Sequence, residues 1–328
     1  MNGMSDSVTY TVIFVLLLLA EELWLGIARK FRICDQPNSR SSHTTPVLRG
    51  GGVIFPVAIL LFQAFFGLHY PWFFAGLVLV AAVSLWEDIK SVPDTVRLVT
   101  HFAAIALMLV QLWNTANFSP WLILPALFIG AGVINAFNFM DGINGITGAY
   151  SLAVIAPLIY LNDTIRFIDP AYLLVANSSI LVFCMFNFRK RPACFAGDVG
   201  AVSIALILFF AIAMLIAATG DFSWLTLLAV YGADTALTIC HRIKLHQNIR
   251  TAHREHIYQI MANELKIPHL AVAGIYTTLQ LFISFGLIFM PVNHYVYMGA
   301  VGAILTAVYI IFIKKYYPLH AANSTPGE

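Results

Sequence analysis

The sequence predicts an all-α integral membrane protein, a bundle of ten or eleven transmembrane helices in a single polytopic domain over residues 1–328. Three observations predict it. Only 10% of the residues are charged and 60% are hydrophobic, whereas an average soluble domain is about 25% charged. Mean hydropathy is +0.82. The apolar residues fall in long uninterrupted runs rather than the short alternating segments of a membrane barrel. Lipid leaves backbone N–H and C=O groups no partner outside helices or closed barrels, so such runs read as helices. The same numbers exclude a soluble enzyme, a disordered chain, a coiled coil and a nucleic-acid binder.

A spanning helix needs about 20 mostly apolar residues. In chain order the runs are 8–28, 50–67, 71–86, 98–113, 120–138, 146–161, 171–187, 200–219, 223–240, 268–290 and 294–313. The opening MNGMSDSVTY lacks the basic segment and small-residue cleavage site of a removable signal peptide, so the first run is expected to persist as a helix. Short connections at 68–70, 114–119, 162–170, 220–222 and 291–293 alternate with long ones at 29–49, 87–97, 139–145, 188–199 and 241–267. Of the 18 Lys and Arg residues, 17 lie in the long connections and the 314–328 tail, which puts those segments in the cytoplasm by the positive-inside rule. The net charge of +2 implies no polyanionic partner. Cys34, Cys184, Cys194 and Cys240 show neither CxxC nor paired spacing, so no zinc site or disulfide framework is expected.

The long connections also hold nearly every acidic, amide and histidine side chain suited to chemistry. A pore or alternating-access transporter would place such groups near the bilayer midplane. An enzyme using a soluble cytoplasmic substrate would place them here.

Arg40, His43, Thr45-Pro46 and Arg49 lead into Gly50-Gly51-Gly52. Glycines opening a helix can turn free N–H groups and the helix dipole toward an anion; a flexible loop with membrane-surface basics is the plain alternative. Glu87-Asp88, followed by Lys90, suits divalent-metal or phosphate chemistry, or is a solvated helix end. Asn135-x-x-Asn138-x-x-Asp141-Gly142-x-x-Gly145 is sharper. Residues three apart share a helix face, so two amides and a carboxylate project together where such groups are costly without partners. Capping explains one of them but hardly all three. Asn187 and Arg189-Lys190-Arg191 lead to Gly197-Asp198-x-Gly200, where Asp198 is a helix cap or a metal ligand beside a basic phosphate clamp. In the 241–267 loop, His253-Arg254-Glu255-His256 puts two histidines on one face if helical, with Arg254 on another. HxxH without a third ligand is weak for zinc and better suited to a pyrophosphate, with Asp234 able to orient one of these groups. Glu21 and Glu22 have no partner legible in the sequence.

The order of these motifs, from about residue 35 to 260 on one membrane face, resembles the polyprenyl-phosphate N-acetylhexosamine-1-phosphate transferases, the group that includes phospho-N-acetylmuramoyl-pentapeptide transferase and the enzymes initiating O-antigen and teichoic-acid synthesis. The resemblance implies a multi-pass protein of the bacterial inner membrane with a cytoplasmic active-site cleft. There the phosphate of undecaprenyl or another polyprenyl phosphate would attack the β-phosphate of a UDP-N-acetylhexosamine, releasing UMP with Mg²⁺ (or Mn²⁺) as cofactor. By the same resemblance Asp198 matches the metal-binding aspartate, with Asp141 a second candidate ligand. Asp88 matches the second carboxylate of an Asp-Asp pair and is the candidate base, with Glu87 at the first position. Asn135, Asn138 and Asp141 match the nucleotide- and metal-proximal cluster, and His253 and His256 the histidine motif at the diphosphate. Arg40, Thr45, Asn187, Arg189, Lys190 and Arg254 are the substrate-binding candidates. A homodimer is compatible with this reading.

Two departures stand out. Glu87 replaces the usual first aspartate, and the histidine motif reads His-Arg-Glu-His-x-Tyr-Gln instead of three consecutive histidines. The second argues for simple N-acetylated sugars such as GlcNAc, FucNAc or QuiNAc over the alternative substrate, UDP-MurNAc-pentapeptide. A transporter or flippase of an anionic lipid-linked substrate is the rival class. It accounts for the helices and the basic residues but not for two Asp-Gly clusters on one face.

Overall fold

A computed structural model describes residues 6–37, 42, 45–116, 120–248 and 253–323. Arg40 and His43 lie outside the described residues. Each of the eleven apolar runs is a helix: α1 (Asp6–Phe31), α2 (Ile54–Phe66), α3 (Pro71–Ile89), α4 (Asp94–Ala116), α5 (Ile123–Met140), α6 (Ile146–Ile165), α7 (Pro170–Asn187), α8 (Gly197–Thr219), α9 (Ala229–Lys244), α11 (His269–Phe289) and α12 (His294–Asn323). A short helix, α10 (Ile257–Asn263), interrupts the long loop between α9 and α11. Among the described residues, nine helical segments are long and apolar enough to cross a membrane, as a multi-pass membrane protein requires. The exceptions are α2, which is only 13 residues long, and α6, which carries Pro157, Asn162 and Asp163.

Local chemistry sets the boundaries. Proline opens α3 and α7, where the lost N–H would have had no partner. Asp169 caps α7 by accepting from Ala171 N at 2.8 Å. Gly220, at φ +70°, ends α8.

The most apolar of the nine membrane-length helices, α8, is the most deeply buried. Its 18-residue apolar stretch within Gly197–Thr219 is entirely buried, and α2, α3, α4, α5 and α6 all pack on α8. Phe73 of α3 stacks on Phe210 of α8 with centroids 4.1 Å apart. Burying α8 matters for chemistry because its first turn, held rigidly in the bundle, carries Asp198. At that end, β1 (Cys34–Asp35) pairs antiparallel with β2 (Val47–Leu48) and delivers Arg49 and the triple glycine to the α8 N-terminus.

Candidate active site

The site forms where the 50–53 turn is clamped to the start of α8. Gly51 N and Gly52 N donate to the carbonyls of Phe195 and Ala196 at 2.9 and 3.0 Å. These amides are therefore spent inside the protein, which corrects the expectation of an anion site at the glycines. Glycine is needed at 52 for a different reason. A Cβ there would lie 2.1 Å from the Gly200 Cα.

Asp88, in the last turn of α3 with its side chain fully buried, faces the same turn. Its Oδ1 accepts from Asp198 N at 2.8 Å and its Oδ2 from Val199 N at 3.0 Å. Gly197, at φ +71°, admits the carboxylate, because a Cβ there would sit 2.5 Å from Asp88 Oδ2. Asp88 thus caps α8 from a different helix. Arg49 bridges the two aspartates, with Nε 2.7 Å from Asp88 Oδ1 and Nη2 2.9 Å from Asp198 Oδ1. Burial works against the Arg49 charge, yet Asp88, Asp198 and Asp35 together raise its pKa above the ordinary value. Arg97 of α4 takes the other oxygen, its Nη2 2.9 Å from Asp198 Oδ2 and its Nη1 3.8 Å from Glu87 Oε1. Glu87 also accepts from Val92 N and so closes the α3–α4 turn.

Asp141 follows the end of α5 and accepts from Thr147 Oγ1 at 2.5 Å. Burial pushes its carboxyl up to about 8; Thr147 pulls it down, Asp198 and Asp88 add to the rise, and Arg49 opposes it. With Asp141 kept largely neutral by that rise, the three carboxylates of Glu87, Asp88 and Asp198 still outnumber the two guanidinium groups of Arg49 and Arg97. That excess of negative charge suits a divalent cation. Among the described residues no three Asp, Glu, His or Cys side chains form a ready cation cage. Magnesium does not need one, because it is commonly held by one or two carboxylates together with substrate phosphates. The donor set fits an ion arriving with a diphosphate.

The remaining sequence candidates divide. Asn135 lies back on its own helix, Nδ2 donating to Ala131 O at 2.9 Å, and lines a groove. Asn138 is half-buried one turn further on. Asn187 is a staple: its Oδ1 accepts from Gly145 N at 2.7 Å and its Nδ2 donates to Cys194 O at 2.8 Å, joining the two loops that flank the site. Both halves of that amide are taken by backbone. Thr45, Arg189 and Lys190 are exposed, and Arg254 is half-buried. The 253–256 segment is not helical; α10 begins after it, with His256 as its N-cap. The two imidazoles nevertheless meet, with centroids 5.0 Å apart, and both pack on Phe139. Glu21, unexplained by sequence, is fully buried beside Cys194, whose Sγ is 3.3 Å from its Oε1.

An apolar groove of about 490 Å³ runs between α5 and α9, lined by Ile129, Val133, Ala136, Leu228 and Ile239. Asn135, Phe139 and His253 also line it. The stretch 135–141 therefore touches both the groove, through Asn135, and the carboxylate cluster, through Asp141.

The profile of glycosyl transferase family 4 matches residues 70–232. Residues 70–232 are a glycosyl transferase family 4 domain. It contains Glu87, Asp88, Arg97, the 135–141 cluster, Asn187 and Asp198, whereas Arg49 and the histidines lie outside it. The chain is 24% identical over 269 residues to the undecaprenyl-phosphate alpha-N-acetylglucosaminyl 1-phosphate transferase of Thermotoga maritima, covering 80% of this chain and 81% of that protein. It is 27% identical over 182 residues to the phospho-N-acetylmuramoyl-pentapeptide-transferase of Thermotoga petrophila, covering 50% of this chain and 58% of that one.

Sequence spacing does not reveal two members of this site. Arg97 stood out in no motif, and Arg49 was read as one basic residue among several. Each pairs with Asp198 across about a hundred or more residues, a relationship no local spacing records.

Proposed function

We propose that this protein transfers an N-acetylated amino-sugar 1-phosphate from a UDP-sugar to undecaprenyl phosphate, at the cytoplasmic face of a bacterial inner membrane, and so starts a lipid-linked surface glycan. The observation that carries the reading is the 135–141 stretch. It joins an apolar groove of about 490 Å³, whose lining suits a hydrocarbon tail, to a charged cluster that suits phosphates. The two substrates come from different phases, and such a junction serves both. The similarity to an N-acetylglucosaminyl 1-phosphate transferase over four fifths of the chain supports GlcNAc as the first sugar to test.

An oxygen of the lipid phosphate attacks the β-phosphorus of the UDP-sugar. The new P–O bond forms as the bond from that phosphorus to the α,β-bridging oxygen breaks, and UMP leaves with the electron pair. A phosphate monoester near neutral pH needs little deprotonation, so the larger demand is neutralising charge on two phosphates held in line. Arg49 and Arg97 supply fixed positive charge at the cluster, and the exposed Arg189 and Lys190, in the loop that leads into the α8 N-terminus, would add to it. Mg²⁺, or Mn²⁺ in its place, would be held by Asp198 with Asp141 and would neutralise the diphosphate. Asp88 keeps the Asp198 turn in place; with both oxygens already accepting hydrogen bonds, it is better placed to hold that turn than to take a proton.

The experiment is release of UMP by purified protein given undecaprenyl phosphate and a panel of UDP-sugars. UMP and a lipid-linked sugar should appear together with at least one UDP-N-acetylhexosamine. A panel that yields neither, with lipid present and protein folded, would overturn the reading.

A further inference from the structure

We propose that the end of α12 beyond Lys314 and Lys315 braces the candidate active site: through α10 it holds the turn that carries Asp141, with His320 and Tyr317 as positioning residues that act on α10 and not on substrate. This rests on the proposed function for the role of Asp141 beside the cation.

α12 is 30 residues long, whereas about 20 cross a membrane. Its last turns are therefore free to do something else, and they pack on α9 and α10. Tyr309 and Ile313 of α12 form a small apolar cluster with Ile260 of α10, joined by Leu237 of α9. One turn on, Tyr317 OH accepts from Gln247 Nε2 at 3.3 Å and hydrogen-bonds the buried Glu255. His320, 6% exposed, has its Nδ1 2.8 Å from Oε1 of Glu264, the C-cap of α10. An ionised carboxylate only accepts, so the ring proton belongs on Nδ1. The other oxygen, Glu264 Oε2, is buried with no hydrogen-bond partner among the described residues. His320 is thus the side chain that meets this carboxylate.

The opposite end of α10 reaches the site. Tyr258 is fully buried and its OH donates to Phe139 O at 2.8 Å. A Cβ on Gly142 would lie 2.1 Å from that same hydroxyl. Asp141 sits between these two contacts. At seven residues, α10 is far too short to be stable as an isolated helix, so its order must come from what it packs on. Loosening it at Glu264 therefore loosens Tyr258, and with it the turn that aims Asp141. A ligand carboxylate that must first be ordered binds its cation more weakly.

The test combines hydrogen exchange with Mg²⁺ titration, on protein in nanodiscs. In the native protein, amides of 257–264 and of 139–145 should open together as one unit. His320→Ala should speed exchange in both segments about tenfold. His320→Asn, whose amide can donate from near the Nδ1 position, should restore most of the protection. The Mg²⁺ concentration for half-maximal UMP release should rise about tenfold in His320→Ala and in Tyr258→Phe, and little further in the double variant, because both changes break one connection. A merely structural loss would lower the amount of active protein and leave the Mg²⁺ requirement alone. A rise of about 100-fold in the double variant, or exchange at 139–145 indifferent to His320→Ala, would overturn the proposal. If His320→Ala does not fold, the native pattern decides: unrelated opening of 257–264 and 139–145 would overturn it. Joint opening in a native protein that releases no UMP from any UDP-sugar would support the brace and count against the proposed function alone.

Discussion

Asp88 of α3 caps the helix that carries Asp198: its two oxygens accept from Asp198 N at 2.8 Å and Val199 N at 3.0 Å. A carboxylate 110 residues away thereby fixes the first turn of the central helix. The position of Asp198 depends on a residue that sequence spacing assigns to a separate motif.

For this reason Asp88→Asn should loosen the site as well as slow it. The amide can accept from one backbone N–H but presents a donor to the other, and it loses the Arg49 pair. Leaving such a buried donor unmet costs about 1–3 kcal/mol. Thermal unfolding in detergent should show a lower midpoint for Asp88→Asn than for Asp198→Asn, together with weaker UDP-sugar binding. Full stability in Asp88→Asn would show that the cap is unimportant.

Arg97 tests the charge balance of the cluster. Its guanidinium holds Asp198 Oδ2 from a quarter-exposed position. Arg97→Ala should raise the KM for UDP-sugar about tenfold, equivalent to about 1.4 kcal/mol, with Arg97→Lys in between. An unchanged KM would remove Arg97 from substrate binding.

The Gly52–Gly200 approach predicts a steric effect independent of chemistry. Both neighbours of the missing Cβ are backbone, so neither can rotate aside. Gly52→Ala should cost about 3 kcal/mol or more by overpacking and reduce the yield of folded protein. Gly26→Ala, with nothing within 4 Å of the new methyl, is the control and should be tolerated.

Asp141 gives the ligand-free protein a pH dependence. Its folded-state pKa, raised to about 8 chiefly by burial, exceeds the unfolded value of about 4. The folded state therefore holds this proton more tightly. The stability it confers is complete below about pH 4 and is lost as pH rises through about 8. Asp141→Asn, a permanent mimic of the neutral acid, should match the native protein below about pH 4 and exceed it in unfolding temperature near pH 9. Parallel curves for the two proteins would contradict the shift.

The helices were legible because each apolar run is long, and the eleven runs became eleven helices with modest boundary changes. Of the site, the local clusters were legible: Glu87-Asp88, Asn135 to Asp141, and Gly197 to Gly200 converge or flank one another as the motif order suggested. What spacing could not show is what each polar group bonds to. Asn187 reads as a substrate ligand until its amide is seen holding Gly145 and Cys194. The Gly51 and Gly52 amides read as an anion site until Phe195 and Ala196 are seen to take them. The histidine pair was expected on one helix face; it meets instead in a non-helical turn, brought together by Asp234 and Arg242 of α9.

If the proposed function holds, the Asp198 cluster is where sugar phosphate passes from a UDP-sugar to a polyprenyl phosphate. The most direct measurement is movement of radiolabel from UDP-[³²P-β]GlcNAc to undecaprenyl phosphate, in native protein and in Asp198→Asn, with folding checked by thermal unfolding. Labelled lipid and matching UMP should appear with the native protein, with at least a 100-fold loss in Asp198→Asn, since an amide is a poor ligand for a hard cation and removes charge where the diphosphate binds. Normal transfer by a folded Asp198→Asn protein would contradict it.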